Sequence, residues 1–357
     1  MTAQYDLPLT DPGNLTFSRS YMLHLPRTYG APRTPVPLVM YFHMQMNDAA
    51  DDATNYNFTQ MSDSNGFAIV LPQGVGDEDA SAQSCSTGWN IDGTGAIDTC
   101  TKQTWSQFGC SCSCCYKSCQ QLGKCTADGQ EAQCGWTTCA DDVFFTEKLI
   151  SHLSAEFCID TSKIFAIGAS NGGMFVHHIA KALPNTFRAV MPIYGLPLIG
   201  RGLQPAGLAS TSFLSLHDRW DNVIPIEGGL SSQGWRYESL AAVLANWTQL
   251  HGCGKTHASA VPRPTPFDDV AAPRGLNCFE CHLPPSASAR TLLLLLVLAP
   301  ASGLADSTLG AKFVCAGMHS LSLTTLSYYS GTWDARLGSG SFPASLTVIM
   351  GIGWRML

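Results

Sequence analysis

Between Lys163 and Gly173 the chain reads KIFAIGASNGG, and no other stretch restricts its fold as much. Ile164 to Ile167 form a short apolar run of strand type, Gly168 follows at once, and a helical pattern runs from Met174 to Leu183. Strand, sharp turn and helix therefore meet at Ser170, the centre of a Gly-x-Ser-x-Gly pentapeptide. A serine at the tip of such a turn takes a strained backbone conformation, and the flanking glycines let strand and helix approach each other. The turn lifts Oγ above the sheet edge and aims the first amides of the next helix at the carbon that Oγ would attack. The pentapeptide alone is common in turns; its strand-and-helix setting makes it a nucleophile elbow rather than an ordinary βα turn.

The rest of the chain supplies a sheet for that turn. Leu38 to Phe42 is a fully apolar run ending at His43, and Phe67 to Leu71 is another, closed by Pro72 and Gly74. Further strands are expected at Arg188 to Tyr194 and Ser212 to His217, and helices at Ala49 to Met61, Asp141 to Phe157 and Trp235 to Leu250. The entry up to about Thr34 reads as extended chain, with Tyr21, Leu23 and Leu25 alternating. Strands alternating with helices imply a mostly parallel sheet covered on both faces, an α/β core over about residues 1–255 of the 357. A net charge of −7 without any cluster of Lys and Arg excludes a nucleic-acid partner, which calls for a basic face.

Fifteen cysteines, nine of them between Cys100 and Cys139, point to an oxidising compartment. From about 85 to 139 periodicity is lost, and a disulfide-stapled insert is the expectation. The cysteines from Cys110 to Cys125 (110, 112, 114, 115, 119 and 125) are dense enough for zinc. They do not form two clean pairs a finger's length apart, however, and no histidine lies among them. Asn-x-Thr sequons at Asn14, Asn57 and Asn246 fit a secreted glycoprotein, although the N-terminal MTAQYDLPLTDPGNLTF does not have the pattern of a signal peptide. Residues 256–306 are proline-rich and enclose the run LLLLLVLA at Leu292 to Ala299, too short for a membrane span of about 20 residues. Two readings of that run stay open, a buried strand or helix and a misjoined exon. Residues 307–357 carry the last histidine, His319.

An acyl-transfer serine needs a base and a group to orient that base. Beyond the strand at Ser212 to His217 comes HDRWDNVIP, whose Asp218 and Asp221 are both candidates for the orienting acid. Taken together, LVMYFH-M-Q (38–45), GFAIVLPQG (66–74), Trp89-Asn90, Ala140 to Val143, GASNGGM (168–174) and HDRWDNVIP (217–225) resemble one known group. It is the polyhydroxybutyrate depolymerase and feruloyl esterase group of secreted α/β-hydrolase esterases. The resemblance, over about residues 19–253, implies an α/β-hydrolase fold, Ser170 as nucleophile and Asp221 rather than Asp218 as orienter. The family also has a late histidine shortly after a cysteine, and Cys315-Ala-Gly-Met-His319 is the nearest fit, which makes His319 the implied base. Backbone amides of Asn171 and of Met44 or Gln45 are the implied oxyanion donors.

Two departures accompany the resemblance. The family has glycine where this chain has Met44, a strained choice if that position needs a positive φ. Ser320 and Leu321 replace a tryptophan and proline after the late histidine. His43 is expected to end a strand as a structural residue, His177 and His178 to pack on the elbow helix, and His217 to orient the acid loop. His251, His257 and His282 are the rivals of His319. A secreted serine carboxylesterase is the leading expectation: monomeric, without metal or organic cofactor and without a membrane span. Its ester substrate would be a feruloyl or acetyl ester of polysaccharide or a polyester. A catalytically impaired binding protein is the alternative from a different class, and a peptidase of the same fold is a third option.

Overall fold

The computed structural model describes residues 2–10, 16–30, 34–76, 87–94, 136–202, 211–218 and 220–251, with 12, 14, 98, 99, 118 and 208. It also describes, as backbone, strands at 256–260, 277–281, 293–298, 321–323 and 352–354. In chain order these give β1 (Thr2–Thr10), β2 (Thr16–His24), β3 (Val36–Phe42), α1 (Ala49–Asn55), α2 (Phe58–Asn65) and β4 (Ala68–Pro72). Next come α3 (Asp142–Glu156), β5 (Ile159–Ala169), α4 (Asn171–Ala182), β6 (Ala189–Ile193) and β7 (Ser212–Asp218). After β8 (Gly229–Leu230), β9 (Arg236–Tyr237) and α5 (Leu240–Leu250) follow β10 (Thr256–Ala260), β11 (Asn277–Cys281) and β12 (Leu293–Leu298).

The main sheet has the order β1-β2-β4-β3-β5-β6-β7-β12. From β4 to β12 every pairing is parallel, and β1 and β2 form an antiparallel hairpin at one end. This is the α/β-hydrolase fold that the sequence leads one to expect. The period-two alternation of the strands divides the core between two faces. Leu38, Met40 and Phe42 of β3 turn toward Phe145 and Leu149 of α3, Phe175 and Ile179 of α4, and Trp247 of α5. Val39 and Tyr41 turn the other way, toward Ala49, Phe58 and Met61 of α1 and α2. Helices thus cover both faces, and the carboxyl ends of the parallel strands share one edge.

Several boundaries differ from expectation for local reasons. The single helix read over Ala49 to Met61 is two, because Tyr56 is extended (φ −101°, ψ 137°) and its ring packs against Tyr41 and Phe58. The helix read from Trp235 begins only at Leu240, where the Ser239 hydroxyl accepts the Ala242 amide at 3.1 Å, while Arg236 and Tyr237 pair with Gly229 and Leu230. The extended entry is the hairpin β1-β2. The apolar run is strand in its backbone: Leu293 to Leu298 pair in parallel with Phe213 to Asp218 of β7. Most of the cysteine-rich segment lies outside the described residues; at its far end Cys139 is disulfide-bonded, while Cys158 carries a free thiol.

Candidate active site

β5 ends at Ala169 and α4 begins at Asn171, so Ser170 alone makes the turn, with φ 52° and ψ −119°. L-residues rarely adopt that conformation, which persists only where the surroundings enforce it. Here the Ser170 amide donates to the Ile193 carbonyl of β6 at 2.8 Å and the Ser170 carbonyl accepts from Met174 at 2.9 Å. The glycines have the steric role expected of them. A Cβ on Gly172 would run into the Phe42 carbonyl, one on Gly168 into the Gly172 carbonyl, and one on Gly173 would lie 2.7 Å from the Ile193 oxygen. Ser170 occupies the N-cap of α4, yet its hydroxyl caps no amide. The amide of Asn171, in the first helical turn, has no partner in the helix ladder.

The acid loop arrives at the same edge. Ile193 pairs with Leu216, and the Tyr194 amide donates to the Leu216 carbonyl at 2.8 Å, which brings the end of β7 beside the elbow across β6. Asp218 is engaged in its own turn, where Oδ1 accepts the Trp220 amide at 2.8 Å. Asp221 is held differently: Oδ1 accepts the amides of Val223 and Ile224, both at 2.9 Å. Its Oδ2 makes only a 3.8 Å approach to His217 Nε2. Burial raises the Asp221 carboxyl above the usual carboxylate range, against the two amide bonds and the neighbouring imidazole. His217 Nε2 lies 2.7 Å from the Ile224 carbonyl and must therefore carry the proton. The ring is neutral, its pKa lowered by burial, and its contact with Asp221 is not an ion pair.

The third part is the loop after β3. His43 donates from Nδ1 to the Met44 carbonyl at 2.6 Å and accepts the Gly74 amide on Nε2 at 2.8 Å, which requires the neutral Nδ1–H tautomer. Burial lowers its pKa to about 4. Met44 is not the strained residue; the positive φ, 70°, belongs to Met46. Among the described residues the Met44 and Gln45 amides donate no hydrogen bond.

Behind the elbow lies a polar network that sequence reading picked out as motif but gave no role. Asn171 Oδ1 accepts the Trp89 amide at 2.7 Å and its Nδ2 donates to the Trp89 carbonyl at 3.0 Å. The Asn90 amide donates to Asp142 Oδ2 at 2.7 Å, and Arg19 reaches Asp142 Oδ1 at 2.6 Å, with Arg19 fully buried and Asp142 nearly so. Arg19 also lies over the Phe145 ring, 4.1 Å from its centroid. Arg19 was not singled out by the sequence, because nothing in TFSRSYM distinguishes a buried arginine from an exposed one.

The remaining histidines fall where packing explains them. His177 is buried on α4, with Nε2 at 3.2 Å from the Gly195 carbonyl, and His178 Nδ1 lies 3.3 Å from the Asn90 carbonyl. His251 stacks on Trp247, which stacks on Phe213 at the start of β7; it is thus at the amino edge of the sheet, opposite Ser170. His319 and His282 lie outside the described residues, as do the cysteines from Cys110 to Cys125. His257 lies on β10, a strand described by its backbone.

A family profile matches the region of the elbow, and curated relatives match parts of the chain. The Prolyl oligopeptidase family profile matches residues 137–197, from just before α3 to just beyond β6. Feruloyl esterase C of Emericella nidulans is 31% identical over 98 residues, 27% of this chain and 35% of that protein. The chain is similar to feruloyl esterases. Feruloyl esterase B of Piromyces equi is 30% identical over 128 residues, 32% of this chain and 23% of that protein. The chain thus spans about a third, 35%, of the length of several of its curated relatives. Among solved structures, the acetyl xylan esterase from Aspergillus awamori superposes with a TM-score of 0.41 at 13% identity, over 71% of this chain and 84% of that one. The sequence matches to feruloyl esterases bear out that side of the expected resemblance.

Proposed function

We propose that the chain is a serine carboxylesterase that works through an acyl-enzyme, with Ser170 as nucleophile, Asp221 as orienter and His319 as general base. The observation that carries this reading is a serine in an enforced, strained turn whose hydroxyl caps nothing, although it sits where a helix cap belongs. An oxygen kept out of structural service is available for chemistry. Oγ attacks the ester carbonyl and forms the acyl–oxygen bond; its proton passes to the imidazole and from there to the departing alcohol. The oxyanion is held by the amides of Asn171 and of Met44 or Gln45. Asp221, pinned through Oδ1, presents Oδ2 to the imidazole. β12 ends level with Asp218 and so returns the chain to the edge from which a base must come, which supports His319 over His251.

The relatives' names favour feruloyl esters, and the likeness to feruloyl esterases extends to the substrate class as part of this proposal. Cysteine content and the exposed sequon residues Asn14 and Asn57 support secretion, and among the described residues no helix is long and apolar enough to cross a membrane. The non-catalytic alternative rests on Met44 and on the altered tail after His319; Met44 has no positive φ, and Ser320 lies outside the described residues. The test is labelling by a fluorophosphonate, followed by turnover of a panel of feruloyl, acetyl and hydroxybutyrate esters. Labelling abolished by Ser170→Ala and strongly slowed by His319→Ala is the expected result. A parent protein that neither labels nor turns over any ester refutes the reading, and a His319→Ala protein that labels at the parental rate removes His319 from it.

A further inference from the structure

The loop from His43 to Asn47 follows β3 directly and is fastened at every residue. The His43 carbonyl accepts Trp89 Nε1 at 3.0 Å, and the Met44 carbonyl accepts the His43 ring at 2.6 Å. Gln45 Oε1 accepts Trp136 Nε1 at 3.0 Å. The Met46 amide donates to the Thr87 carbonyl at 2.7 Å, and the Asn47 carbonyl accepts the Thr87 hydroxyl at 2.8 Å. The Met44 and Gln45 amides, the proposed oxyanion donors, donate no hydrogen bond among the described residues. Met46 sits at φ 70°, a conformation that costs about 1–3 kcal/mol and survives only when neighbouring contacts over-determine it.

Three of these fastening residues, Thr87, Trp89 and Trp136, come from the two described ends of the cysteine-rich stretch and not from the parallel-strand core. Trp136 is itself buried, its ring centroid 4.4 Å from that of Trp235. The two segments are also tied together, since Thr137 donates to the Val75 carbonyl at 2.8 Å and Val75 bridges to Gly88. A loop that must offer two free amides in a fixed direction cannot use those amides to hold itself, so its fastening has to come through side chains and its other backbone groups. We propose that Trp136 and Thr87 are positioning residues that hold the 43–47 loop in the conformation in which the Met44 and Gln45 amides donate to the oxyanion. The inference rests on the esterase reading for its kinetic consequence but not for its structural one.

Trp136→Phe keeps the ring on Trp235 and deletes the donor to Gln45; Thr87→Val deletes the hydroxyl bonded to Asn47. Each is expected to lower kcat about tenfold, the size of one lost hydrogen bond, with KM within about twofold, because the oxyanion forms after binding. Gln45→Met added to Trp136→Phe should cause no further loss, since both remove the same bond. Amide hydrogen exchange over residues 44–47 should rise in both single variants while the α4 amides stay protected. Unchanged exchange at 44–47 overturns the proposal whatever the activity, as does a parental kcat in both variants of an active parent. Loosened exchange in a parent that hydrolyses no ester leaves the fastening intact and refutes the esterase reading instead.

Discussion

Ser170 is the residue at which local cost and chemistry meet. An N-cap serine ordinarily accepts an amide of the first turn, and losing that bond costs about 1 kcal/mol. Because the Ser170 hydroxyl caps nothing, Ser170→Ala is expected to change the unfolding free energy by less than about 0.5 kcal/mol while abolishing turnover. Ser170→Gly, which relaxes φ 52°, should raise stability by about 1 kcal/mol. Urea titrations of the three proteins decide: a clear loss in the alanine variant means that the hydroxyl is structural after all. At Asp221 the expectation is kinetic. Asp221→Asn keeps the two amide bonds to Oδ1 but puts an amide in place of the second carboxylate oxygen, and under the proposed triad turnover should fall by about three to four orders of magnitude. Asp218→Asn, which alters only a surface turn, should retain most of it; steady-state rates of the pair separate the two acids.

Among elements, the critical joint ties the hairpin strand β2 to the start of α3. Arg19 and Asp142 meet at 2.6 Å with almost no exposure, and Asp142 also receives the Asn90 amide. Burial raises the Asp142 carboxyl and the Arg19 charge opposes it. Removing one charge strands the other, so Arg19→Met is expected to cost about 3–5 kcal/mol. Replacing both, Arg19→Met with Asp142→Leu, should recover much of that loss but not all, because the Asn90 amide then has no acceptor. Denaturant midpoints of the single and double variants check this, and a double variant no better than the single contradicts it. The same scale shows where pattern reading stops. Helix periodicity identified α3 to within a residue at each end, because Asp141 caps it and its apolar face is continuous. It ran across the break between α1 and α2, because what opens the chain at Tyr56 is the packing of its ring on Tyr41 and Phe58.

For the whole molecule, buried titratable groups set the response to acid. Burial lowers the pKa of His43 and of His177 to about 4, and it depresses His178 and His217 as well. Above pH 6.5 neither folded nor unfolded chain protonates these rings. As the pH falls from there toward 4 the unfolded chain alone takes up the protons, and each of His43 and His177 withdraws roughly 3 kcal/mol of stability. Asp52 acts in the opposite sense, its pKa raised by burial to about 7. The folded chain keeps that proton while the unfolded chain loses it, so this contribution to stability grows as pH falls from about 7 toward 4. The urea midpoint of Asp52→Asn should therefore drop more steeply between pH 6.5 and 4.5 than that of the parent, and the midpoint of His177→Phe less steeply. Parallel curves for all three proteins would show that these groups do not govern the acid limb.

Sequence alone determined the elbow, the strand-type runs that feed it and the acid loop at the end of β7, because each rests on interactions within a few residues. A Gly-x-Ser-x-Gly turn is a local steric solution, and a run such as LVMYF admits little but a buried strand. Residue types alone left Asp218 and Asp221 both open as the acid, and only the resemblance implied Asp221; that the Val223 and Ile224 amides pin Asp221 while the Trp220 amide engages Asp218 is decided by the fold. Nor did the sequence show that the strained residue of the loop after β3 is Met46 rather than Met44. It was equally silent on the buried charge of Arg19 and on Trp136 reaching Gln45 across 91 positions of chain. Those features depend on which distant groups meet when the sheet closes, and long-range meeting is what tertiary structure adds to local preference.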